Sequence, residues 1–278
     1  MTLREAIAVG SGRLNGNDAV RDAQFLLLYT LGLPRTALFT EPERTLSAAE
    51  SGAYEAAIAR RASGEPVQYI TGQQEFYGLI LKVSPAVLIP RPETELLVEV
   101  VLTRVAKEES VRILDVGTGS GAIVIALAHN LPMAQVTAVD LSDAALAMAK
   151  ENAREHGVIE RVRFLASDLL EAVTDEVFDV VVSNPPYVPE LDRESLERQV
   201  REHEPGLALF AGLDGMDVYK RLVPQAWVGL RPGGLLAMEI GYGQRDAITK
   251  LLDGWESVEF LDDLQGIPRV SLARKPRR

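Results

Sequence analysis

The 278-residue sequence contains no cysteine. That absence removes disulfides, thiolate nucleophiles and cysteine-ligated zinc together, and it suits a reducing cytosol. Histidine is nearly as scarce. His129, His156 and His203 are the whole complement, and their separation argues against a histidine-built metal site. No apolar run approaches the roughly 20 residues of a membrane span. Met1–Ala6 carries an early Glu5 and no apolar signal core, so the expected location is cytoplasmic. Basic residues are also in deficit, 29 against 40 acidic ones, for a net charge of -11 and a pI near 4.9. That balance argues against a protein that coats bare nucleic acid, which needs a basic face, and leaves room for a local basic patch. The basic tail Arg274–Arg278 reads as a solvated, frayed terminus.

What remains is ordinary globular material, 47% hydrophobic and 25% charged, with a length that favours one large and one small domain. Residues 2 to about 64 read as helical. Asp18 is placed to cap a helix that carries Phe25–Leu28 up to Gly32, with Pro34 beyond it. Ser47 with Glu50 forms a capping box, so a further helix is expected to reach Ala62 and stop at Gly64. Val67–Gly72 and Phe76–Leu81 read as two strands of a hairpin. Pro92 suits the first position of a helix bearing Leu96, Leu97, Val100 and Val101 at helical spacing. From Val111 onward strands and helices alternate, the rhythm of a parallel sheet with helices on both faces. The expected division is a helical domain over 1–64 that positions a partner, a β-hairpin linker over 65–84, and an α/β domain over 85–278.

Chemistry concentrates where strands end. Val180–Ser183 is a buried-strand run that stops at Asn184-Pro185-Pro186-Tyr187. Pro185 cannot continue a ladder and pushes Asn184 into extended conformation. An amide, a proline carbonyl and an aromatic ring are thereby held stiffly at the carboxyl end of a strand, the end where open α/β sheets bind ligands. At the first strand-to-helix turn stands Asp115-Val116-Gly117-Thr118-Gly119-Ser120-Gly121. Its glycines permit a tight turn and close approach of a ligand. The spacing is G-x-G-x-G, not the G-x-G-x-x-G of a dinucleotide site, and Asp115 suits an ammonium group better than a phosphate. Asp140 ends the next strand about where such folds place a ribose-binding acid, and its two oxygens can take both hydroxyls. Asp168 follows the third strand, positioned to accept an exocyclic amine or to make a turn.

Taken in this order, Asp115–Gly121, Asp140, Asp168 and Asn184–Tyr187 resemble the class I S-adenosylmethionine-dependent methyltransferases that act on planar nitrogens. Further stretches narrow the resemblance: Pro66–Gly72 with Glu75–Gly78, Ile89–Glu95, Glu204-Pro205 with Ala208-Leu209, Asp214-Gly215, and Gly266–Val270. Together they are similar to the release factor glutamine methyltransferases over nearly the whole chain, least over the first 60 residues. The resemblance implies a Rossmann-like seven-stranded sheet with one antiparallel strand, fronted by a helical substrate-docking domain. It also implies S-adenosyl-L-methionine as cofactor, leaving as S-adenosyl-L-homocysteine. Gly117, Thr118, Gly119, Ser120 and Gly121 would cradle its methionyl part with Asp115 nearby, Asp140 would hold the ribose, and Asp168-Leu169 would face the adenine. Leu169 stands where some members carry an aromatic residue, so aliphatic packing replaces stacking. Asn184, Pro185, Pro186 and Tyr187 would take the glutamine of the Gly-Gly-Gln loop of a class 1 peptide chain release factor. Asn184 would adjoin the cofactor as well.

The reaction explains those residue types. An amide nitrogen is a poor nucleophile, and an enzyme that aims it need not deprotonate it first. The Asn184 oxygen and the Pro185 carbonyl are expected to accept its two N–H bonds and stabilise growing positive charge, with Tyr187 packed on the flat amide. A monomer without stable nucleic-acid or membrane binding is expected. The alternatives left open are a glutamine of a ribosomal protein and an exocyclic amine of DNA or RNA.

Overall fold

A computed structural model of the protein describes residues 1–106 and 110–277, and contacts divide them into two units. One comprises Met1–Gln73 with Glu197–His203, the other Gln74–Leu196 with Glu204–Arg278.

The first unit is helical because its sequence supplies both starts and stops. Thr2 with Glu5 and Ser47 with Glu50 form complete capping boxes that begin helices Leu3–Gly12 and Ala48–Ala62. Between them lies helix Ala19–Leu31, closed by Gly32 in the left-handed conformation at φ 63°. Asp18 sits at the N-cap position of that helix but makes no side-chain capping hydrogen bond. The apolar faces meet on Leu3, Ala6, Leu26, Leu27, Tyr54 and Ile58. The buried Tyr54 hydroxyl lies 3.2 Å from the Ala6 carbonyl and 3.3 Å from that of Ala23, so it joins two helices. A Cβ on Gly10 would fall 2.1 Å from the Tyr54 oxygen, and the ring needs the bare backbone there.

Val67–Gly72 is not a strand. Residues Val67–Thr71 form one helical turn, bracketed by Pro66 at its start and Gly72 at φ 71° at its end. Thr71 Oγ1 donates back to the Val67 carbonyl at 3.1 Å. Proline and left-handed glycine at the two ends override the β-branched content between them. The hairpin exists with a shifted register, pairing strands Gln73–Phe76 and Leu79–Lys82. Tyr77 and Gly78, at φ 51° and 76°, make its two-residue turn.

The second unit is built on seven strands. In chain order they are β1 (Arg112–Val116), β2 (Gln135–Asp140), β3 (Val162–Ala166), β4 (Phe178–Ser183), β5 (Leu230–Glu239), β6 (Glu256–Asp262) and β7 (Pro268–Arg274). Their spatial order is β3-β2-β1-β4-β5-β7-β6. β1 to β5 run parallel, and β7 is antiparallel to both its neighbours. This is the expected seven-stranded sheet. Alternate residues feed two cores, Ile113, Val180, Val182 and Leu235 into one and Leu114, Val116, Val181 and Leu236 into the other. Burial on both faces is why Val180–Val182 reads as an unbroken apolar run. Helices Glu95–Arg104 and Ala122–Asn130 cover the first face, and Asp217–Gly229 and Arg245–Leu251 the second.

The basic tail is not simply frayed. Arg274 ends β7, and the Lys275 backbone N–H donates to Gly234 at 3.0 Å while its ammonium donates to the Leu230 carbonyl at 2.7 Å. Arg278 lies outside the described residues. Among the described residues no helix is long and apolar enough to cross a membrane.

Candidate active site

Register decides what meets at the sheet's carboxyl edge. Val116 pairs with Val139 on one side and Ser183 on the other. The glycine loop after β1, Asp140 at the end of β2 and Asn184 after β4 therefore emerge side by side. One cavity collects them, lined by Gly117, Thr118, Gly119, Ser120, Asp140, Asp168, Leu169, Asn184 and Pro186 among others.

Gly117, Gly119 and Gly121 all have positive φ, at 74°, 55° and 84°, a conformation that side chains with a Cβ disfavour. The Val139 carbonyl accepts from the N–H groups of Gly117 at 2.9 Å and Thr118 at 3.1 Å, and Asp140 Oδ2 accepts from Gly119 at 2.8 Å. Asp140 thus shapes the loop, and its Oδ1 accepts from the Ser142 N–H at 2.9 Å. Each oxygen keeps lone-pair capacity for a ligand hydroxyl. Burial raises the Asp140 pKa against these N–H donors. Gly121 does not line the cavity. It is buried where a Cβ would meet Ile125 at 2.9 Å and Ala149 at 3.1 Å, so it serves helix packing behind the loop.

Asp115 also lies behind the loop. It is wholly buried and absent from the cavity wall. Thr118 Oγ1 donates to its Oδ2 at 2.7 Å, and its Oδ1 has no hydrogen-bond partner. Burial pushes the carboxyl up to about 7, opposed by the Thr118 hydroxyl and aided by the negative charge of Asp140. An incompletely satisfied buried acid beneath a glycine cradle matches a cationic ligand group above it.

Asp168 lines the cavity two residues beyond β3, and its Oδ2 accepts from Arg221 at 2.7 Å. Arg221, from helix Asp217–Gly229, is itself part of the wall. Leu169 adopts φ 52° and presents an aliphatic surface.

Of the four residues after β4, Asn184 and Pro186 line the cavity, whereas Pro185 is buried and Tyr187 half-buried beside it. Asn184 Nδ2 donates to Thr94 Oγ1 at 3.1 Å. Tyr187 is clamped at both ends. Its hydroxyl donates to Glu239 Oε1 at 3.0 Å, and its carbonyl accepts from Gln244 Nε2 at 2.9 Å. Gly215 and Gly241 make room for it, since a Cβ there would lie 2.3 Å from the Tyr187 carbonyl oxygen or 2.9 Å from its ring. Burial and the Glu239 charge push the Tyr187 hydroxyl pKa upward, so it stays neutral and is no base.

The Ile89–Glu95 stretch that the resemblance singled out, in which Arg91, Thr94 and Glu95 are the candidates to line the pocket, supplies two further supports, while their partners Glu204 and Glu239 lie far along the chain. Thr94 is buried and lines the cavity, and its hydroxyl donates to Glu239 Oε2 at 2.6 Å. Arg91 lines the cavity and pairs with the buried Glu204 at 2.5 Å, while the other Glu204 oxygen accepts from the Ile89 N–H at 3.1 Å. Glu95, by contrast, receives the Tyr77 N–H and is not on the wall. The segment from Pro189 onward folds into short helices, and Pro205, Leu207, Ala208 and Phe210 reach the cavity. His203 does not. A charged residue interrupting the apolar run Leu235–Ile240 was the available signal for Glu239.

Solved structures share this fold. Human METTL16 catalytic domain with an RNA hairpin superposes with a TM-score of 0.58 at 16% identity, over 86% of this chain and 85% of that one. A Thermus thermophilus 16S rRNA N2 G1207 methyltransferase, solved with AdoMet and guanosine, gives 0.55 at 23% identity, over 73% of this chain and 49% of that one. They show the fold of the second unit; sequence supplies the class. The Methyltransferase small domain profile matches residues 92–202, and the PrmC N-terminal domain profile matches 5–72. A release factor glutamine methyltransferase of Koribacter versatilis is 48% identical, with 99% of both chains covered. Another, of Moorella thermoacetica, is 46% identical, with 98% of both covered. The chain belongs to the release factor glutamine methyltransferase family.

Proposed function

We propose that the protein methylates the side-chain amide nitrogen of the glutamine in the Gly-Gly-Gln motif of a class 1 peptide chain release factor, with S-adenosylmethionine as donor. The observation that carries this reading is the hydrogen bond from Asn184 Nδ2 to Thr94. With its nitrogen committed, Asn184 has its carbonyl oxygen left to offer at the cavity wall, the acceptor that a substrate N–H requires.

The cavity residues fit the donor chemically. Glycine backbone surrounds the place for a small charged group, the buried Asp115 lies beneath it, Asp140 retains acceptor capacity for hydroxyls, and Asp168-Leu169 combines an acceptor with an apolar plate. When bound, S-adenosylmethionine supplies a methyl group made electrophilic by its sulfonium. Asn184 Oδ1 on the wall accepts one amide N–H bond, and the carbonyl of Pro185 just behind the wall is the candidate acceptor for the other. Together they stabilise positive charge as it grows on nitrogen. Their placement after the rigid β4 end holds the amide in reacting geometry. Tyr187, neutral and clamped, closes the flat face and excludes water. The methylated nitrogen is strongly acidic and gives up its proton to solvent as the product leaves, with S-adenosylhomocysteine as the other product, so no general base is required beside it.

The test is mass spectrometry of the Gly-Gly-Gln peptide of a recombinant release factor after incubation with the protein and S-adenosylmethionine. One added methyl on the glutamine, absent with Asn184→Ala, is the expected result. An unmodified glutamine, with cofactor still bound, would move the substrate to a ribosomal protein or nucleic acid.

A further inference from the structure

Glu239 is buried at the carboxyl end of β5, 1% exposed, and takes no part in the cavity wall. Both its carboxylate oxygens are engaged by hydroxyls, Oε2 by Thr94 at 2.6 Å and Oε1 by Tyr187 at 3.0 Å. Its backbone carbonyl accepts from the buried Tyr219 hydroxyl at 2.8 Å, which anchors the strand end. A buried acid held so tightly next to a substrate site calls for a role.

Burial raises the Glu239 pKa while the Thr94 and Tyr187 hydroxyls hold it down, and with the acid ionised the donors and acceptors along this chain allow one arrangement. A threonine hydroxyl has a single proton. Thr94 gives that proton to the Glu239 carboxylate, so toward Asn184 it offers only lone pairs. The Asn184 atom 3.1 Å away must then be the amide nitrogen. A flipped amide would set two acceptors against each other at a part-buried position, an arrangement that folded proteins avoid. The consequence is directional. Asn184 meets the substrate with its oxygen, and the site accepts N–H bonds and repels carboxylates.

We propose that Glu239, acting through Thr94, is a positioning residue that fixes the Asn184 amide oxygen-outward, and that this Glu239–Thr94–Asn184 relay makes the site select a glutamine amide over a glutamate carboxylate. The proposal rests on the glutamine reading above. A site built around a hydrogen bond rejects an analogue that leaves it unmade far better than shape alone can. The relay supplies that rejection without touching the substrate beyond Asn184.

The experiment compares wild type with Thr94→Val and Thr94→Ser. Three quantities are measured: S-adenosylhomocysteine affinity, turnover on a release factor carrying Gly-Gly-Gln, and competitive inhibition by the same release factor carrying Gly-Gly-Glu. Valine keeps the shape but cannot accept from Asn184, so the amide is free to flip. The expected result is unchanged cofactor affinity and turnover reduced by about 10- to 100-fold, in line with loss of an aligned polar group. The Glu-form inhibition constant should also fall by about tenfold relative to the KM for the Gln form. Serine restores both. A uniform loss of turnover with unchanged Gln-to-Glu discrimination would make Thr94 a mere prop of the cavity wall and overturn the proposal. Turnover within twofold of wild type at unchanged discrimination would overturn it too.

If Thr94→Val loses cofactor binding, Glu239→Gln decides. Its amide satisfies both hydroxyls but presents either an oxygen or an NH2 group to Thr94, so discrimination should fall while cofactor binding holds. Retained discrimination in that variant refutes the relay. A wild-type protein that binds cofactor but leaves Gly-Gly-Gln unmethylated removes the glutamine reading itself, and this inference with it.

Discussion

Asp115→Asn should stabilise the protein at alkaline pH while weakening the cofactor site. In the native chain the Asp115 carboxyl is wholly buried and pushed up to about 7, mainly by loss of water. In the unfolded chain it returns to the ordinary value near 3.9. Between those values the native state holds a proton that the unfolded state has released. Stability from this group is therefore full below about pH 4 and is lost as pH rises through about 7. Between pH 5 and pH 8 the loss amounts to about 3 kcal/mol, or roughly 5–10 °C in melting temperature for a unit of this size. Asparagine abolishes the titration, and Thr118 Oγ1, now 2.7 Å from Asp115 Oδ2, can turn to accept from an amide as readily as it donates to a carboxylate. Calorimetric melts of wild type and variant without cofactor, at pH 5 and pH 8, isolate the effect as a double difference, because Asp140 and Glu239 titrate in both. Isothermal titration with S-adenosylhomocysteine at pH 8 should show weaker binding in the variant, which has lost the negative charge beneath the cradle. An equal pH dependence of melting in the two proteins would refute the reasoning, since the burial of Asp115 would then carry no titration.

Asn184→Ala should lower turnover by about 100- to 1,000-fold, the usual cost of one preorganised polar contact to developing charge, while S-adenosylhomocysteine affinity stays within a factor of a few. Single-turnover kinetics and calorimetry separate the two quantities. Arg91→Ala leaves Glu204 buried without its cation, its side chain being 1% exposed, and should destabilise the protein by about 3 kcal/mol in urea unfolding. Adding Glu204→Gln should recover most of that loss. If the double variant is as unstable as the single one, charge burial is not the cause. Gly10→Ala drives a Cβ to 2.1 Å from the Tyr54 oxygen and 2.9 Å from its ring carbon, an overpacking cost of about 1–3 kcal/mol. Tyr54→Phe in that background should relieve it only in part, because the ring remains, and thermal melts of wild type and the two variants check the order.

Whether a feature could be read from sequence depended on how far along the chain its cause lies. The glycine loop, Asp140 and Asn184–Tyr187 each follow directly from a strand end, so local punctuation revealed them, and parallel register then brought them to one edge. Val67–Thr71 failed for the same local reason, because Pro66 and Gly72 at its ends outweighed the residues between. Arg274 and Lys275 read as a free terminus, since nothing nearby in sequence announces that β5 receives them. The relay behind Asn184 was hidden more deeply. Asn184 reaches Thr94 across 90 positions, Thr94 reaches Glu239 across 145, and Arg91 reaches Glu204 across 113. No spacing rule joins such pairs. What they share is physical: followed to its end, each ties a group on the cavity wall to an acid the fold has buried, Asn184 through Thr94 to Glu239 and Arg91 to Glu204. Burial strengthens a carboxylate's hold on its donors while raising the cost of leaving it unpaired. In the relay proposed above, the motif residues name the chemistry and the buried Glu239 behind them fixes its direction. A sequence that kept Asn-Pro-Pro-Tyr but lost Thr94 or Glu239 would still carry the motif, yet its amide would no longer be set to accept from a glutamine.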